Sequence, residues 1–237
     1  MDEWDAYFWP GSDVLRNIPG FTTNEELRRF EYAATRQRSE ELALRPIPGH
    51  FDTAHFREIH RYLFQDVYEW AGEYRTVEFS KGSSAFAPLK TPAHTLETWG
   101  EKILGDLATE NHLKGLKKVA FVERLTHHYG ELNFWHAMRE GNGRATKEFL
   151  YQLAKQAGYE LEFQRVGAKT WNTAAERQSS GSRAAMTRAW PWTCSTRLFL
   201  AKVQAQLLER LSTGDIIQPR APDSPAKDAR DDYAPSR

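Results

Sequence analysis

Twelve residues in the second half of the chain carry groups suited to holding a phosphate. The segment 136–147 reads HAMREGNGRATK and runs into a helix-like pattern. Gly141 and Gly143 flank Asn142, and glycines let the backbone turn tightly and approach an anion closely. The N–H groups of such a turn, leading into a helix N-terminus, point at an anion and carry partial positive charge. The segment therefore predicts a nucleotide phosphate site.

Some side chains around this turn are suited to binding a phosphate, and one is suited to proton transfer. Arg144 and Lys147 supply positive charge one turn into the helix, and Glu140 can hold a divalent metal ion on phosphate oxygens. His136 titrates near neutral pH and stands outside the phosphate grip, so it is the candidate general base. Transfer of a phosphorus-containing group from a nucleotide to a hydroxyl fits this set.

Composition narrows the class of protein. The 237 residues have formal net charge zero and 40% hydrophobic content, enough for one packed domain with appendages. Zero net charge gives no support to nucleic-acid or membrane binding through bulk charge. The single cysteine, Cys194, excludes an internal disulfide framework. An acidic start and the lack of a long apolar run favour a cytoplasmic protein.

The elements that must position these residues are mostly helices. Apolar residues recur at helical spacing over about 24–45, 52–70, 92–109, 116–134 and 143–157, and one or two more helices are expected between 168 and 211. Thr23 or Asn24 is suited to cap the first helix, and Gly158 to end the helix after the turn.

A small β-ribbon interrupts the helical pattern. Alternating and β-branched residues predict a strand over 76–79 and a return strand over 85–87, joined by a turn at 81–84. Two short strands must lean on helices to be stable. The chain from 213 to 237 is rich in Pro, Asp, Ala and Arg, which predicts a disordered tail.

The residues of 136–147 resemble the signature of the Fic family, His-x-Phe-x-Asp/Glu-Gly-Asn-Gly-Arg-x-x-Arg. Segments 7–17 (YFWPGSDVLRN) and 64–77 (FQDVYEWAGEYRTV) also look like Fic toxin sequences. The resemblance implies a mainly α Fic fold, a compact helical bundle with a short β-hairpin flap. It places the Fic domain at 1–212, with the core at about 52–160 and the flap at about 74–88.

The resemblance also implies an activity. It suggests a protein adenylyltransferase that moves AMP from ATP onto a Ser, Thr or Tyr hydroxyl of a target protein and releases pyrophosphate. By position, His136 would be the general base and Glu140 would bind Mg²⁺. The α- and β-phosphates would lie in an anion hole formed by Gly141, Asn142 and Gly143. Arg144 would hold the β- or γ-phosphate, with Lys147 as a further cation.

The flap is expected to contribute to binding. Lys81 and Gly82 lie at its turn, where the family holds the target backbone as an added strand. Phe79 and Phe86 on either side fit a place in the core equally well.

Three positions depart from the family signature. Ala137 stands where proline is frequent, Met138 replaces the Phe anchor, and Lys147 replaces the final arginine. Lysine is a point charge that cannot grip a phosphate in bidentate fashion, so weaker ATP orientation and lower activity are expected. Two alternatives stay open: a Doc-like phosphotransferase, although the Gly-Asn-Gly turn favours AMP transfer, and a degenerate Fic module that binds nucleotide or a partner without turnover.

Regulation is expected to come from another protein. The inhibitory motif of the family, Ser/Thr-x-x-x-Glu-Gly/Asn, has no good match: Thr22 and Glu26 have the spacing, but Leu27 follows them. We interpret this segment as an ordinary helix start. The resemblance then implies a toxin inhibited by a separate small antitoxin, with DNA gyrase or topoisomerase IV subunits as possible targets.

Overall fold

Five α-helices form most of the chain that the structure describes. This structure is a computed structural model and describes residues 4–78, 80–81, 84–161 and 217–219. The helices are α1 (Asn24–Leu44), α2 (Thr53–Phe64), α3 (Leu96–Thr109), α4 (Lys118–Trp135) and α5 (Asn142–Ala157). The prediction of a mainly α protein is confirmed. Over the described residues, none of these helices is both long and apolar enough to cross a membrane.

The predicted ends of α1 and α5 are confirmed by their hydrogen bonds. The Thr23 hydroxyl accepts from the Glu26 backbone N–H at 3.3 Å and donates to the Glu26 carboxylate at 2.6 Å. Thr23 therefore caps α1, and its hydroxyl holds the Glu26 side chain at an ordinary helix start. After α5, Gly158 adopts φ 88° and its N–H donates to the Lys155 carbonyl.

The predicted helix over 52–70 is too long. α2 ends at Phe64, and the N–H groups of Val67 and Tyr68 both donate to the Phe64 carbonyl in a turn. The Val67 carbonyl accepts from Ile18, in the N-terminal segment, at 2.9 Å. Val67 and Tyr68 are buried, so their apolar spacing continues the helical period although the backbone has left the helix.

The helix predicted from residue 92 begins later, at Leu96. A turn precedes it, in which the Thr91 hydroxyl accepts from the His94 N–H at 2.9 Å. The Thr95 and Thr98 side chains then cap the helix start through reciprocal bonds to each other's backbone N–H. Hydroxyl side chains compete for backbone groups in this way and delay the helix.

The β-ribbon is present but displaced along the chain. β1 (Ser80–Lys81) pairs antiparallel with β2 (Ser84–Ala85), so the strand predicted over 76–79 is wrong for its described residues. The Val77 carbonyl accepts from Arg75 Nη1 at 2.8 Å, which removes it from any ladder. Past β2, the Ala87 N–H donates to the Phe134 carbonyl instead of a partner strand.

A second two-stranded sheet joins distant parts of the chain. β3 (Tyr159–Leu161) pairs antiparallel with β4 (Ile217–Pro219). β4 lies in the segment predicted to be disordered, where β-branched Ile217 favours a strand. The rest of the predicted tail, and the helices expected between 168 and 211, lie outside the described residues.

The chain divides into two compact units. The first unit comprises Met1–Glu78, Pro88–Leu104 and His136–Phe149, and the second comprises Phe79–Ala87, Gly105–Trp135 and Leu150–Arg237. The predicted domain bounds, 1–212, stay a prediction.

Each unit has its own aromatic core. In the first, Phe51 and Phe56 pack edge-on against Phe149 with ring centroids 5.4 and 5.6 Å apart. In the second, Phe121 stacks on Tyr159 at 4.1 Å. The segment 136–149, which carries the predicted chemistry, is built into the first of these cores.

Candidate active site

The loop 136–141 between α4 and α5 is held in an unusual backbone conformation. His136 has φ 42°, and such a left-handed non-glycine residue costs about 1–3 kcal/mol unless its surroundings impose it. Arg75 imposes it: Nε donates to the His136 carbonyl and the backbone N–H donates to the Ala137 carbonyl, both at 2.9 Å. Arg75 is itself buried. Arg75 therefore holds the backbone that carries the imidazole predicted as general base.

Asn142 closes the loop from the start of α5. Its side-chain amide donates to the Met138 carbonyl at 2.7 Å, and its side-chain oxygen accepts from the Met138 N–H at 2.9 Å. Both amide groups are used and the residue is buried. Asn142 therefore shapes the turn with its side chain, and its backbone N–H is the group left for an anion at the helix start.

Gly141 packs directly on a phenylalanine of α2. A Cβ added at this position would lie 2.1 Å from Phe64 Cζ, and the residue has φ 78°. Gly143 has no such neighbour, since nothing lies within 4 Å of an added Cβ. The two glycines of the motif are needed for different reasons: Gly141 for space and backbone angle, and Gly143 for an open approach to the helix N-terminus.

His60 supports the turn from below. Its Nδ1 accepts from the Gly72 N–H at 2.9 Å, so the ring carries its proton on Nε2, which donates to the Glu140 carbonyl at 2.8 Å. Burial lowers the pKa of His60 to about 4, with a smaller effect from the charge of Arg144. The imidazole is neutral at physiological pH, and it holds the Glu140 backbone through this hydrogen bond.

The Glu140 side chain fits a magnesium ion shared with a substrate. One carboxylate oxygen accepts from the Gly141 N–H at 3.0 Å, and the residue is half-buried. Within the described residues, no three His, Cys, Asp or Glu side chains lie together as a metal cage. Mg²⁺ is commonly held by one or two carboxylates plus substrate phosphates and water, so this donor chemistry suits it.

The two cations of the motif differ in their surroundings. Arg144 forms an ion pair with Glu31, donates to the Thr35 hydroxyl at 3.2 Å, and lies with Cζ 4.7 Å over the Phe64 ring. Lys147 is half-buried, and burial, helped by the charge of Arg144, lowers its pKa to about 8. Arg144 is thus anchored as a permanent cation, whereas Lys147 can lose its charge near neutral pH.

The departures from the family signature are accommodated in the core. Met138 is fully buried in place of the Phe anchor, and Ala137 is 1% exposed. Between them and Glu140, the Arg139 guanidinium lies over the Trp4 ring at 4.7 Å and the Phe8 ring at 5.3 Å. This cation–π contact ties the N-terminal segment to the loop.

The predicted flap residues belong to the second unit. The backbone of Lys81 lies in β1, and Gly82 lies outside the described residues. Phe86 is buried, which favours the core interpretation for that ring, and Phe79 lies outside the described residues. A binding role for Lys81 and Gly82 stays a prediction.

The other predicted site residues come together on one loop and one helix start of the first unit. They are His136, Glu140, Gly141, Asn142, Gly143, Arg144 and Lys147. The residues that hold them were missed by sequence reasoning: Arg75, His60 and Glu31. A lone histidine, arginine or glutamate carries no local signal for a partner far along the chain.

Proteins of similar sequence belong to one family. The model of the Fic/DOC family matches residues 50–154. VbhT of Bartonella schoenbuchensis, named a protein adenylyltransferase, is 42% identical over 162 residues, 68% of this chain and 33% of VbhT. A probable protein adenylyltransferase Fic of Escherichia coli is 36% identical over 182 residues, 77% of this chain and 88% of that protein. The chain thus spans a third of VbhT and most of the Escherichia coli protein.

Solved structures agree on the fold. The N-terminal Fic domain of a putative cell filamentation protein from Bartonella quintana, solved with bound ADP, gives a TM-score of 0.68 at 24% identity over 91% of this chain and 95% of that chain. BepC of Bartonella tribocorum, solved with bound AMPPNP, gives 0.68 at 23% identity over 92% and 98%. The predicted fold is confirmed, and the predicted enzyme class is the one for which the sequence relatives are named.

Proposed function

The chain belongs to the Fic/DOC family, and from this membership and the site geometry we propose that it transfers AMP from ATP to a hydroxyl group of a target protein. The observation that carries the proposal is the way one loop holds a histidine, a carboxylate and an anion-binding turn together. Arg75 fixes His136, His60 fixes Glu140, and Asn142 closes the turn between them. Catalysis by positioning needs such a fixed set.

The reaction assigns each group one task. His136 takes the proton from the target hydroxyl; Nδ1 is buried, so Nε2 is the nitrogen we assign to this step. The hydroxyl oxygen attacks the α-phosphorus, the bond from this phosphorus to the bridging oxygen breaks, and pyrophosphate leaves. The backbone N–H groups at the start of α5 and the Arg144 guanidinium neutralise the charge that develops on the phosphates.

Glu140 is the residue we assign to Mg²⁺. When bound, the ion would neutralise phosphate charge and orient the leaving group. The carboxylate is held by the Gly141 N–H, and the Glu140 backbone by His60, so it has a defined direction before any substrate arrives.

ATP labelled at a chosen phosphate distinguishes AMP transfer from the two alternative functions. The full chain is incubated with bacterial lysate and ATP labelled at either the α- or the γ-phosphate. Protein that takes up the α-label supports AMP transfer. Uptake of the γ-label indicates a Doc-like phosphotransferase, and uptake of neither label, with ATP still bound, indicates a module without turnover.

Two histidine variants control this experiment. His136→Ala removes the proposed base and is expected to abolish labelling. His50→Ala changes an exposed histidine outside the motif and should leave labelling intact. Labelling that survives in His136→Ala would contradict the role given to this residue.

We also propose that the protein is the toxin of a pair and is inhibited by a separate small antitoxin. Its support is that Glu26 is bound in the helix cap of α1 and is not presented to the motif. Purified protein labelled equally with and without the product of a neighbouring gene would contradict this. Subunits of DNA gyrase and topoisomerase IV are the first targets to test for AMP.

A further inference from the structure

We infer that Glu31, on α1, is a positioning residue that holds Arg144 in the orientation needed to receive a nucleotide phosphate. The inference rests on the proposed function, because it gives Arg144 a phosphate ligand. Its basis is a chain of buried contacts from α1 and the turn after α2 to the Arg144 guanidinium.

Three residues of α1 and α2 hold the Arg144 guanidinium. Its Nη2 forms the ion pair with Glu31, its Nη1 donates to Thr35 at 3.2 Å, and Phe64 supports the face of the guanidinium. Glu31 and Thr35 are one turn apart on α1, so they present a carboxylate and a hydroxyl side by side. The Arg144 side chain remains 29% exposed, against 12% for Glu31, so an anion can approach the arginine more readily than the carboxylate that pairs with it.

Glu31 is itself held in place by hydrogen bonds from buried hydroxyl groups. The Tyr68 hydroxyl donates to the second carboxylate oxygen of Glu31, and the Thr35 hydroxyl donates to the Glu31 carbonyl at 2.7 Å. Because Thr35 gives its proton to that carbonyl, its lone pairs face the guanidinium. Burial and the charge of Glu31 raise the pKa of Tyr68, which keeps this hydroxyl a donor.

Tyr68 is locked in turn by its neighbours. Its ring stacks on Trp70 at 4.2 Å and lies near Phe64 at 6.1 Å, and it is 1% exposed. The Glu31 carboxylate therefore cannot swing toward an incoming phosphate without losing the Tyr68 bond. A carboxylate that is held rigidly orients the arginine paired with it, and orientation before binding reduces the entropy lost when the phosphate binds.

The matched pair Glu31→Gln and Glu40→Gln tests this role. Both positions are glutamates of α1 that pair with an arginine, but Glu40 is exposed and pairs with Arg36 at 3.1 Å. Glutamine keeps the size and one acceptor while removing the charge. We expect Glu31→Gln to weaken ATP binding and to raise the KM for ATP by about tenfold or more, as is typical when a supporting partner is removed, with a smaller change in kcat. Glu40→Gln should change neither.

A double mutant separates positioning from general stability. In an Arg144→Lys background, Glu31→Gln should add little to the loss of ATP affinity, because its effect passes through the arginine. A purely structural role would lower the melting temperature and the active fraction without moving the KM. Should Glu31→Gln fail to fold, Tyr68→Phe gives the same measurement with only one hydroxyl removed.

Each outcome decides the inference. An unchanged Kd and KM, full additivity with Arg144→Lys, or tighter ATP binding and higher activity in Glu31→Gln would overturn it; the last would make Glu31 an inhibitor of Arg144. The ATP Kd is measured by calorimetry on unlabelled protein. A Glu31-dependent ATP Kd without any labelling of target protein would leave this inference standing and reject AMP transfer.

Discussion

At the scale of single residues, Lys147 is the cation of the motif whose charge responds to its surroundings. It replaces the final arginine of the family signature and lies half-buried near the charge of Arg144. An arginine would stay charged there at any physiological pH, whereas burial lowers the pKa of Lys147 to about 8. We therefore expect the substitution to add a pH dependence and to remove a bidentate contact with phosphate.

We expect kcat/KM for ATP to fall between about pH 7 and 9, because this parameter reports the free enzyme and Lys147 loses its proton in that range. Lys147→Arg keeps the charge and should flatten the fall, with a gain of roughly three- to tenfold at the upper end. Initial rates of AMP transfer at saturating target measure this. Lys155→Arg, in the last turn of α5, is the matched control. An unaltered fall in Lys147→Arg would assign the titration to another group.

At the scale of elements, the close approach of the 136–141 loop to α2 sets the shape of the turn. Gly141 touches the Phe64 ring, and His60, one turn earlier on α2, bonds the Glu140 carbonyl. Two contacts from one helix thus fix two successive residues of the loop. The anion-binding turn is therefore preorganised by α2 as well as by α5, which it precedes.

Alanine substitutions at Gly141 and Gly143 should differ in their effect on stability, because only Gly141 packs against Phe64. Gly141→Ala places a Cβ against Phe64 at positive φ, so we expect a loss of about 2–4 kcal/mol in the free energy of unfolding. Gly143→Ala meets open space inside a helix and should be neutral or slightly stabilising. Urea denaturation followed by circular dichroism gives both values. Equal stability of the two variants would show that Phe64 can move aside.

Across the whole molecule, each compact unit holds a histidine in the neutral state: His60, fully buried, in the first and His127, half-buried, in the second. Burial lowers the pKa of His60 in the first unit and of His127 in the second to about 4. In the unfolded chain a histidine titrates near 6.5, so the unfolded state binds protons first as the pH falls. The stability they contribute is complete above about pH 6.5 and declines toward pH 4.

Histidines of both units should therefore contribute to the loss of stability in acid. We expect the urea midpoint of the full chain to fall between about pH 7 and 5, and to fall less in His60→Gln and in His127→Gln. His50→Gln changes an exposed histidine and should preserve the full decline. If neither the His60 nor the His127 variant reduces the decline, other titratable groups govern the acid limit of this protein.

Features that depend on near neighbours could be predicted from the amino-acid sequence. The order of His136, Glu140, the glycine turn and Arg144 is local, and it pointed to a phosphate site and to the Fic family. Helical periodicity and the Thr23 cap located α1, since caps and amphipathic spacing act over one or two turns. The same local signals misplaced the end of α2, because buried residues in a turn keep the spacing of a helix.

The residues that hold the motif in place could be identified only from the folded chain. Arg75 lies 61 positions from His136, His60 lies 80 positions from Glu140, and Glu31 lies 113 positions from Arg144. Such pairs are formed when the chain folds, and the types of the residues alone do not select among many possible partners. The chemistry of the twelve residues could thus be inferred from their types and order. The hydrogen bonds that hold these residues in place, and the burial that lowers the pKa of Lys147, depend on how the chain packs.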